Sequence, residues 1–374
     1  MAVEIKEVKS NKELKKFVRF PHSLYKKNKF WIPPLIKNEM STLQPQKNPA
    51  FEYCDARYWL AYKNNKIAGR IGGIYNKKFI EKWNIPYANF TRFDFMDDEE
   101  VSKALVNKVQ DWAYGKGAEG IHGPLGFTNF DQQAMLIKGF DEVPTLASVY
   151  NYKYYPQHME KLNFEKEIDY VEYEVKVPDR IPEKAERLSN IVLKRFKLNL
   201  FKASTKKQLV PYIEQVFDVI NQSYKDIFYS VKLSQKQIEL FKQRYFSFIN
   251  PEFVSLVMDQ NKKVVGFAII MPSLSKAYQK ANGRLFPFGF IHILKALKNP
   301  KKIDLYVVGI IPQYQNKGVN AVFMTDLTKT AIKKGIQKVE TNSELETNKK
   351  IQAFWKYYEA RLHKRKRVYK KSLK

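Results

Sequence analysis

The segment best suited to chemistry in this sequence lies at residues 305–321, LYVVGIIPQYQNKGVNA. An apolar run that predicts a buried strand reaches Pro312, a short polar loop follows, and a helix is predicted to begin directly after Gly318. A helix begins with backbone N–H groups that have no partner within it, and its dipole places partial positive charge at the same end. Lys317 can add a full charge, and Gly318 lets the backbone approach a ligand closely. The segment therefore predicts a site for an anion such as a pyrophosphate.

This segment resembles motif A of the GNAT (Gcn5-related N-acetyltransferase) superfamily. There a Gln/Arg-x-x-Gly-x-Gly/Ala signature follows a strand and a proline and holds the pyrophosphate of coenzyme A. The signature positions are occupied here by Gln315, Gly318 and Asn320. Asn320 departs from the family's small residue, and it could either crowd the loop or bond to a phosphate oxygen through its amide.

The resemblance implies that acyl-coenzyme A (acyl-CoA) is the co-substrate. In the family the strand before the loop binds the pantetheine arm through its backbone, which implicates Ile310 and Ile311 here. The residues implied to lie at the pyrophosphate are Gln315, Asn316, Lys317, Gly318, Val319 and Asn320.

A second stretch, NKKIQAFWKYY at 348–358, is similar to the Asn-x-x-x-x-x-Phe-Tyr helix of the same family. The similarity adds Asn348 to the implied cofactor-binding residues. Trp355 stands where the family often has a tyrosine that donates a proton to the coenzyme A thiolate. Because an indole cannot supply that proton, Tyr357, Tyr358 or solvent would have to replace it. Packing within the helix is the alternative role of both tyrosines.

The elements that would position these motifs occur twice along the chain. Residues 58–74 and 253–270 each read as a strand, a polar turn and a second strand, with Gly69 and Gly266 at the same place. In each half a strand, a helix and another strand follow. The second half also carries an insertion, residues 273–300, whose centre is apolar and then basic. That insertion could cover an acceptor, touch a membrane surface, or simply pack as a short helix.

Each half is predicted to end in an aromatic helix and a final strand. In the second half the helix is placed from Ile351 to Leu362 and the strand at Val368. The resulting fold class is α/β (α+β), with two GNAT-like domains in tandem, each a mixed, mostly antiparallel sheet flanked by helices. A polar junction with two prolines, VPDRIP, follows residue 176. The predicted domains are therefore 1–176 and 177–374.

The first half differs from the second at the position of the anion-binding loop. Four acids, DDEE at residues 97–100, follow its strand. Their charges would repel a pyrophosphate, whereas acids at the start of a helix are favoured by its dipole. The first domain is therefore predicted to be degenerate and to lack a cofactor loop.

Composition narrows the class of protein further. The chain has 66 Lys and Arg against 38 Asp and Glu, a formal net charge of +28, which can attract polyanions, phosphorylated cofactors or an anionic membrane. Basic residues spread evenly over the surface are the alternative. The single cysteine, Cys54, excludes an internal disulfide and a thiolate zinc site, and the five histidines lack ligand spacing, so no metal is expected. A cytoplasmic location is expected because the sequence shows neither a signal peptide nor an apolar stretch long enough to span a bilayer.

These observations together predict an acyl-CoA-dependent N-acyltransferase, with acetyl-CoA as the first candidate donor. The acceptor would be a small-molecule or peptide amine, bound between the domains, that attacks the thioester directly. Glu340, on the strand after the cofactor helix, is the candidate general base, and a structural salt bridge is its alternative role.

Two other functions stay open at this stage. One is a non-catalytic protein that binds RNA or another polyanion, for which the basic tail at residues 361–374 is the densest run of charge. The same tail could instead be a last strand with a solvated face. The other is an aminoacyl-tRNA-dependent transferase of the Fem type.

Overall fold

A computed structural model describes residues 2–373 of the chain. The strands are β1 (Glu4–Glu7), β2 (Cys54–Lys63), β3 (Lys66–Asn76), β4 (Tyr87–Phe95), β5 (Gly120–Gly123), β6 (Met135–Lys138), β7 (Glu165–Lys176), β8 (Asn199–Phe201), β9 (Val254–Met258), β10 (Val264–Pro272), β11 (Lys302–Ile310), β12 (Lys338–Thr341), β13 (Glu344–Leu345) and β14 (Ala360–Ser372). The helices are α1 (Asn11–Leu24), α2 (Ile36–Thr42), α3 (Lys77–Trp83), α4 (Glu99–Gly115), α5 (Tyr154–Lys161), α6 (Glu183–Arg195), α7 (Lys206–Leu209), α8 (Ile213–Ser223), α9 (Gln235–Tyr245), α10 (Ser275–Ala281), α11 (Gly289–Lys298), α12 (Val319–Lys333) and α13 (Lys349–Phe354).

The strands form one sheet in the order β1-β2-β3-β4-β5-β14-β7-β12-β11-β10-β9-β8. The pairs β4–β5 and β11–β12 are parallel, and the other pairs along this path are antiparallel. Helices flank the sheet, so the predicted fold class is confirmed. Among residues 2–373, no helix is both long enough and apolar enough to cross a membrane.

The predicted repeat is visible in the order of elements. The β2–β3 hairpin turns at Asn64 and Asn65, both with positive φ, a geometry that suits the right-handed twist of the two strands. The β9–β10 hairpin is its counterpart in the second half. In each half a strand, a helix and a parallel strand come next, β4-α4-β5 and β11-α12-β12. The N-terminus of α4 in the first half and that of α12 in the second half therefore occupy equivalent positions.

The long last strand of each half lies in the other half's part of the sheet. Strand β14 is inserted between β5 and β7 and also pairs with the short β6, while β7 pairs with β12 and the short β13. The two exchanged strands pair with each other along most of their length. The domain boundary after residue 176 remains a prediction. A cut there would remove β14 from beside β5 in the first half and β7 from beside β12 in the second half.

Buried ion pairs join the two exchanged strands. Glu172 of β7 is fully buried and contacts the Lys364 Nζ at 3.3 Å and the Lys366 Nζ at 3.0 Å, both on β14. Nearer the solvent, Asp169 accepts hydrogen bonds from Arg365 and Arg367 at 3.1 and 2.8 Å. Much of the charge of the basic tail is therefore paired within the protein.

The end of the second half differs from the prediction. The aromatic helix is short: α13 ends at Phe354, a single 3-10 turn covers Trp355–Tyr357, and β14 begins at Ala360. Leu362, predicted to be helical, lies in β14. The apolar residues of this segment have helical spacing, but β14 is hydrogen-bonded to neighbouring strands on both edges. Pairing within the sheet therefore determines the conformation at Leu362, and the local periodicity does not.

Replacing Lys364 with methionine is expected to lower the free energy of unfolding by about 3–5 kcal/mol, because Glu172 and Glu340 would lose a shared ammonium group inside the protein. Urea denaturation followed by circular dichroism measures this loss. Lys103→Met, on the exposed side of α4, is the matched control and should change stability by about 0.5 kcal/mol at most. Equal stability of the two variants would show that the buried pairs do not hold the strands together.

Candidate active site

The loop between β11 and α12 contains two residues in the left-handed region of backbone conformation. Strand β11 ends at Ile310, a 3-10 turn covers Pro312–Tyr314, and positive φ follows at Asn316 (60°) and Gly318 (80°). Gly318 is the N-cap of α12, and a Cβ atom there would approach the Val192 Cγ2 to 2.9 Å. Glycine is therefore required at Gly318 both by its φ and by the close packing of α6.

The loop leaves a row of backbone N–H groups without a protein partner. The N–H of Gln315 donates to the Pro312 carbonyl oxygen. The next N–H along the chain with an acceptor is that of Ala321, which donates to the Gly318 carbonyl oxygen at 2.9 Å. Between them, the N–H groups of residues 316–320 have no hydrogen-bond acceptor within the described chain, and no side chain caps α12. Five donors thus surround the positive end of a helix dipole.

Two lysines stand beside these donors. The Lys317 ammonium lies over the rings of Phe196 and Tyr314, at 5.3 and 5.5 Å from their centroids. The Lys350 ammonium, from α13, donates a hydrogen bond to the Asn316 Oδ1 at 2.8 Å. The loop therefore combines free N–H groups with cations, which is the chemistry that binds a phosphate or pyrophosphate.

The matching helix in the first half is closed by the protein's own side chains. Asp98 is the N-cap of α4 and accepts hydrogen bonds from the N–H groups of Glu100 and Val101 at 3.0 and 3.3 Å. The Lys63 ammonium pairs with Asp98 at 2.6 Å, and His158 contacts Asp97 at 2.9 Å. The carboxylates occupy the place that an anionic ligand would need.

A gap opens between β11 and β12 immediately before the loop. The two strands pair only from Lys302 to Leu305, and β11 continues to Ile310 beside β10 alone. The Ile311 N–H donates to the Val265 carbonyl oxygen, so by strand alternation Ile310 and Val308 direct their backbone groups into the gap. Of the two isoleucines implied at the pantetheine arm, Ile310 faces the gap, whereas the N–H of Ile311 is already bonded.

An apolar cavity of about 280 Å³ reaches the same gap from the side of α8 and α9. Tyr306, Val307, Asn342 and Ser343 border it where β11 and β12 separate, and residues of 129–147 from the first half close its far wall. Its apolar lining includes Ile213, Val216, Phe217, Ile220, Phe241, Phe246, Val254, Leu256 and Ile269. The cavity is therefore built by both halves, and its walls suit an aliphatic group.

The fold and the loop agree with comparisons to known proteins. Residues 217–358 match the acetyltransferase (GNAT) family model, and the chain resembles, over 99% of its length and 98% of the other's, a tandem GNAT protein from the clavulanic acid biosynthesis pathway (TM-score 0.56, 8% identity). Residues 217–358 are therefore similar in sequence to GNAT acetyltransferases, and the whole chain is similar in fold to a tandem GNAT protein. GNAT proteins are acyltransferases that use acyl-CoA as co-substrate.

Two relatives match nearly the whole chain in sequence. Protein YghO of Escherichia coli (strain K12) is 24% identical over 96% of this chain and 93% of its own length. The bacterial ceramide synthase of Caulobacter vibrioides (strain NA1000 / CB15N) is 22% identical over 98% of this chain and 96% of its own length. The similarity thus covers both halves and not only the domain that the family model matches.

Several residues singled out in the GNAT motifs have structural partners. The Gln315 side chain donates to the Ile310 carbonyl oxygen at 2.9 Å and so braces the loop against the strand. Asn348 is the N-cap of α13 and accepts from the Ile351 N–H. Val319 is buried and can offer a ligand only its backbone, whereas the Asn320 side chain is exposed at the mouth of the loop.

The two candidate tyrosines have different environments. Tyr357 is 73% exposed and points away from the core. The Tyr358 hydroxyl is buried beside a small cavity of about 30 Å³ that Trp355 and Thr328 also line, and burial raises the pKa of Tyr358. The structure therefore brings Tyr358, but not Tyr357, close to the sheet between α12 and α13.

Glu340 occupies an environment that does not suit a general base. Its carboxylate contacts the ammonium groups of Lys302 and Lys364 and lies 3.2 Å from the His363 Nε2. Burial raises the Glu340 pKa, but the His363 hydrogen bond and the two lysine charges outweigh burial and bring the pKa to about 2. Such a carboxylate is ionised, fully partnered and a poor proton acceptor near neutral pH. The contacts of Glu340 therefore favour its alternative role, a structural salt bridge.

The same ion pairs account for a cluster with metal-like geometry. One ligand atom from each of Glu172, Glu340 and His363 lies within 4.8 Å of the other two. The Lys364 ammonium already contacts both carboxylates. A bound cation would have to compete with this lysine, so the cluster is better explained as a structural ion network.

Glu344 is a titratable group that sequence reasoning missed. It follows Thr341, the last β12 residue paired with β11, by three positions, and its carboxylate accepts a hydrogen bond from the Trp355 Nε1 at 3.0 Å. Burial raises the pKa of Glu344 to about 8, and the Trp355 and Thr341 hydrogen bonds only partly oppose this rise. The sequence alone does not distinguish Glu344 from other acids in polar stretches, because its pKa depends on burial by elements distant in the chain.

Reversing the charge of Lys317 is expected to weaken coenzyme A binding at least about tenfold, because a carboxylate would then stand beside the N–H groups that are predicted to hold the pyrophosphate. Isothermal titration calorimetry of Lys317→Glu against the wild-type protein measures this change. Lys329→Glu, exposed further along α12, carries the same change of net charge and should bind nearly as the wild type does. Equal losses in both variants would indicate only a long-range effect of charge.

Proposed function

We propose that this protein is an acyl-CoA-dependent N-acyltransferase whose acceptor is a long-chain aliphatic amine. The observation that carries the proposal is the meeting of two features at one gap in the sheet. Free N–H groups at residues 316–320 lie at one end of β11, and the apolar cavity opens beside Tyr306 and Val307 on the same strand.

The residues of the loop fit the pyrophosphate of acyl-CoA. They offer unpaired N–H groups and the cations of Lys317 and Lys350, and the side chain of Asn320 stands in the open. The N–H groups of Val308 and Ile310 are directed where the pantetheine arm would be oriented. Bound acyl-CoA supplies an activated thioester carbonyl, and the work left to the protein is to position the amine, exclude water and move a proton.

The cavity favours an apolar acceptor over a charged one. Its lining is mostly aliphatic and aromatic, and two of its polar residues, Asn342 and Ser343, lie at the gap where the amine would have to arrive. An aliphatic chain would gain free energy by leaving water there, on the order of 0.8 kcal/mol for each buried CH₂ group. The relative named bacterial ceramide synthase supports this choice, because a ceramide is a long-chain amine acylated on nitrogen.

Glu344 is the proposed proton acceptor in place of Glu340. Glu344 directly follows Ser343, a residue that borders the cavity, and its pKa of about 8 keeps a fraction of the carboxyl ionised near neutral pH. A general base works best when its pKa is close to the working pH. Its hydrogen bond to the Trp355 indole fixes the carboxyl against the end of α13.

The two other functions that the sequence left open, RNA binding and aminoacyl-tRNA-dependent transfer, have less support. The tail cations on which RNA binding rested are largely engaged by acids of β7. No observation within the described residues favours an aminoacyl-tRNA as donor over acyl-CoA. Acetyl-CoA remains one candidate donor.

Filling the cavity is expected to lower activity with long-chain amines selectively. Val216→Trp, on the cavity side of α8, should reduce kcat/KM for a long-chain amine at least about tenfold, while activity with a short amine changes less than about threefold. Assays of a series of amines with acetyl-CoA and long-chain acyl-CoA measure this pattern. Val210→Trp is the control, since Val210 is exposed outside the cavity. Equal loss for short and long amines, or dependence only on the length of the donor, would contradict the proposed acceptor.

Glu344→Gln is expected to reduce kcat about 10²-fold and to alter the pH profile. In the wild-type enzyme the ionised carboxylate is the active form, so kcat/KM should rise with pH through about 8. The glutamine variant should lose that rise while keeping its affinity for coenzyme A, and Glu344→Asp should restore part of the rate. If the glutamine variant keeps the same rise, the titrating group is the amine itself and the role of Glu344 is structural.

A further inference from the structure

Helix α11 and the turn before it expose large apolar side chains. Phe286 is 76% exposed, Phe288 69% and Leu294 59%, and Phe290 and Ile291 are exposed beside them. These five residues are called the apolar face below. Side chains of this size rarely form a continuous exposed patch on a protein surface unless the patch binds something.

The apolar face is held in place by a small core beneath it. Ile293 is buried on the opposite side of α11 and packs with Leu274 and Ala277 at α10, together with Leu146 from the first half. The rings of Phe286 and Phe290 lie 5.7 Å apart, so the turn and the helix present one surface. Packing below α11 therefore explains one side of the helix and leaves the outer side unaccounted for.

The charge around this face has a single sign. Residues 273–301 contain no aspartate or glutamate, and their cationic residues are Lys276, Lys280, Arg284, Lys295, Lys298 and Lys301. Lys302, the first residue of β11, is already paired with Glu340 and Glu174. The next acid along the chain is Asp304, which is buried. Lys295 and Lys298 lie on the exposed part of α11, next to the apolar face.

A basic cleft adjoins the turn between α10 and α11. The cleft has a volume of about 840 Å³, its cations are Arg19, Lys26, Lys29, Lys280 and Arg284, and none of the residues that line it is acidic. Its wall is fixed by the Gly283 carbonyl oxygen, which accepts from the Ile36 N–H at 3.1 Å, and by the Gln279 side chain, which donates to the Lys29 carbonyl oxygen. Arg284 lines the cleft and precedes Phe286 of the apolar face by two residues, so the cleft borders that face.

We propose that the apolar face and the basic cleft dock the protein on an anionic phospholipid bilayer. The apolar face would enter the boundary between headgroups and acyl chains, and the basic cleft would receive lipid phosphate groups. An interfacial helix needs an apolar face and flanking cations, and α11 has both. The absence of any acid from residues 273–301 fits a lipid surface, whose charge is uniformly negative. The inference uses none of the residues assigned to acyl transfer, so it can fail or succeed independently of the proposed function.

Flotation with lipid vesicles tests the proposal without any substrate. The wild-type protein is expected to bind vesicles of phosphatidylcholine mixed with phosphatidylglycerol, and to bind vesicles of phosphatidylcholine alone at least about tenfold more weakly. The variant F286E/F288E/L294E should reduce the partition coefficient for the anionic vesicles at least about tenfold. Because all three side chains are exposed, its thermal unfolding should match that of the wild type.

A matched variant separates the apolar face from a general effect of charge. M96E/Y114E/V210E makes the same substitutions at exposed apolar residues elsewhere and should retain binding within about threefold. Lys26→Gln with Lys280→Gln should weaken binding to the anionic vesicles and flatten its dependence on salt, whereas Lys103→Gln with Lys329→Gln should do so less.

Three results would overturn the proposal. The first is a wild-type protein that does not float with anionic vesicles. The second is equal binding by the two triple-glutamate variants. The third is a wild-type dimer that F286E/F288E/L294E converts to a monomer in analytical ultracentrifugation, which would make the apolar face an interface between two copies of the chain.

Discussion

The buried ion pairs between β7 and β14 fix the register of these two strands, and the relative position of the two halves depends on that register. A lysine ammonium removed from water is costly unless a carboxylate meets it, and Lys364 and Lys366 both reach Glu172 inside the sheet. A shift of one residue in register would turn these lysines to the other face and leave the acid unpaired. The exchanged strands therefore hold one register, and with it the two halves hold one relative position. The interdomain cavity depends on that position, because the first half supplies its far wall.

The two halves show how one architecture yields an open and a closed helix start. Both place a helix between two parallel strands. In the first half Asp98 satisfies the N–H groups at the start of α4, and the helix serves only packing. In the second half Gly318 occupies the N-cap with positive φ and offers no side chain, so the N–H groups remain available. A single residue position thus separates a structural helix from one that can bind an anion.

The candidate active site lies where the sheet is interrupted rather than where it is complete. Beyond Leu305, β11 loses its pairing with β12, and the freed edge is partly satisfied by side chains: Tyr224 and Asn342 donate to the carbonyl oxygens of Val308 and Tyr306. These contacts satisfy carbonyl oxygens of the freed edge, whereas the N–H groups of Val308 and Ile310 face the gap. The loop and the cavity both adjoin this gap, and Glu344 follows the last paired residue of β12 by three positions.

The sequence by itself determined the strand–loop–helix of residues 305–321, the repeated hairpins and the closed helix start at residues 97–100, because turn residues, periodicity and capping are local properties. It also indicated the resemblance to GNAT proteins through Gln315 and Gly318. Only the tertiary structure decided which charges are paired. The basic run at residues 361–374 and the acids of β7 lie far apart in sequence, yet Lys364 and Lys366 are buried against Glu172. Glu340 is paired in the same way with Lys302 and Lys364, which makes it a poor base. The high pKa of Glu344 and the apolar cavity likewise arise from burial by distant elements, which no local pattern encodes.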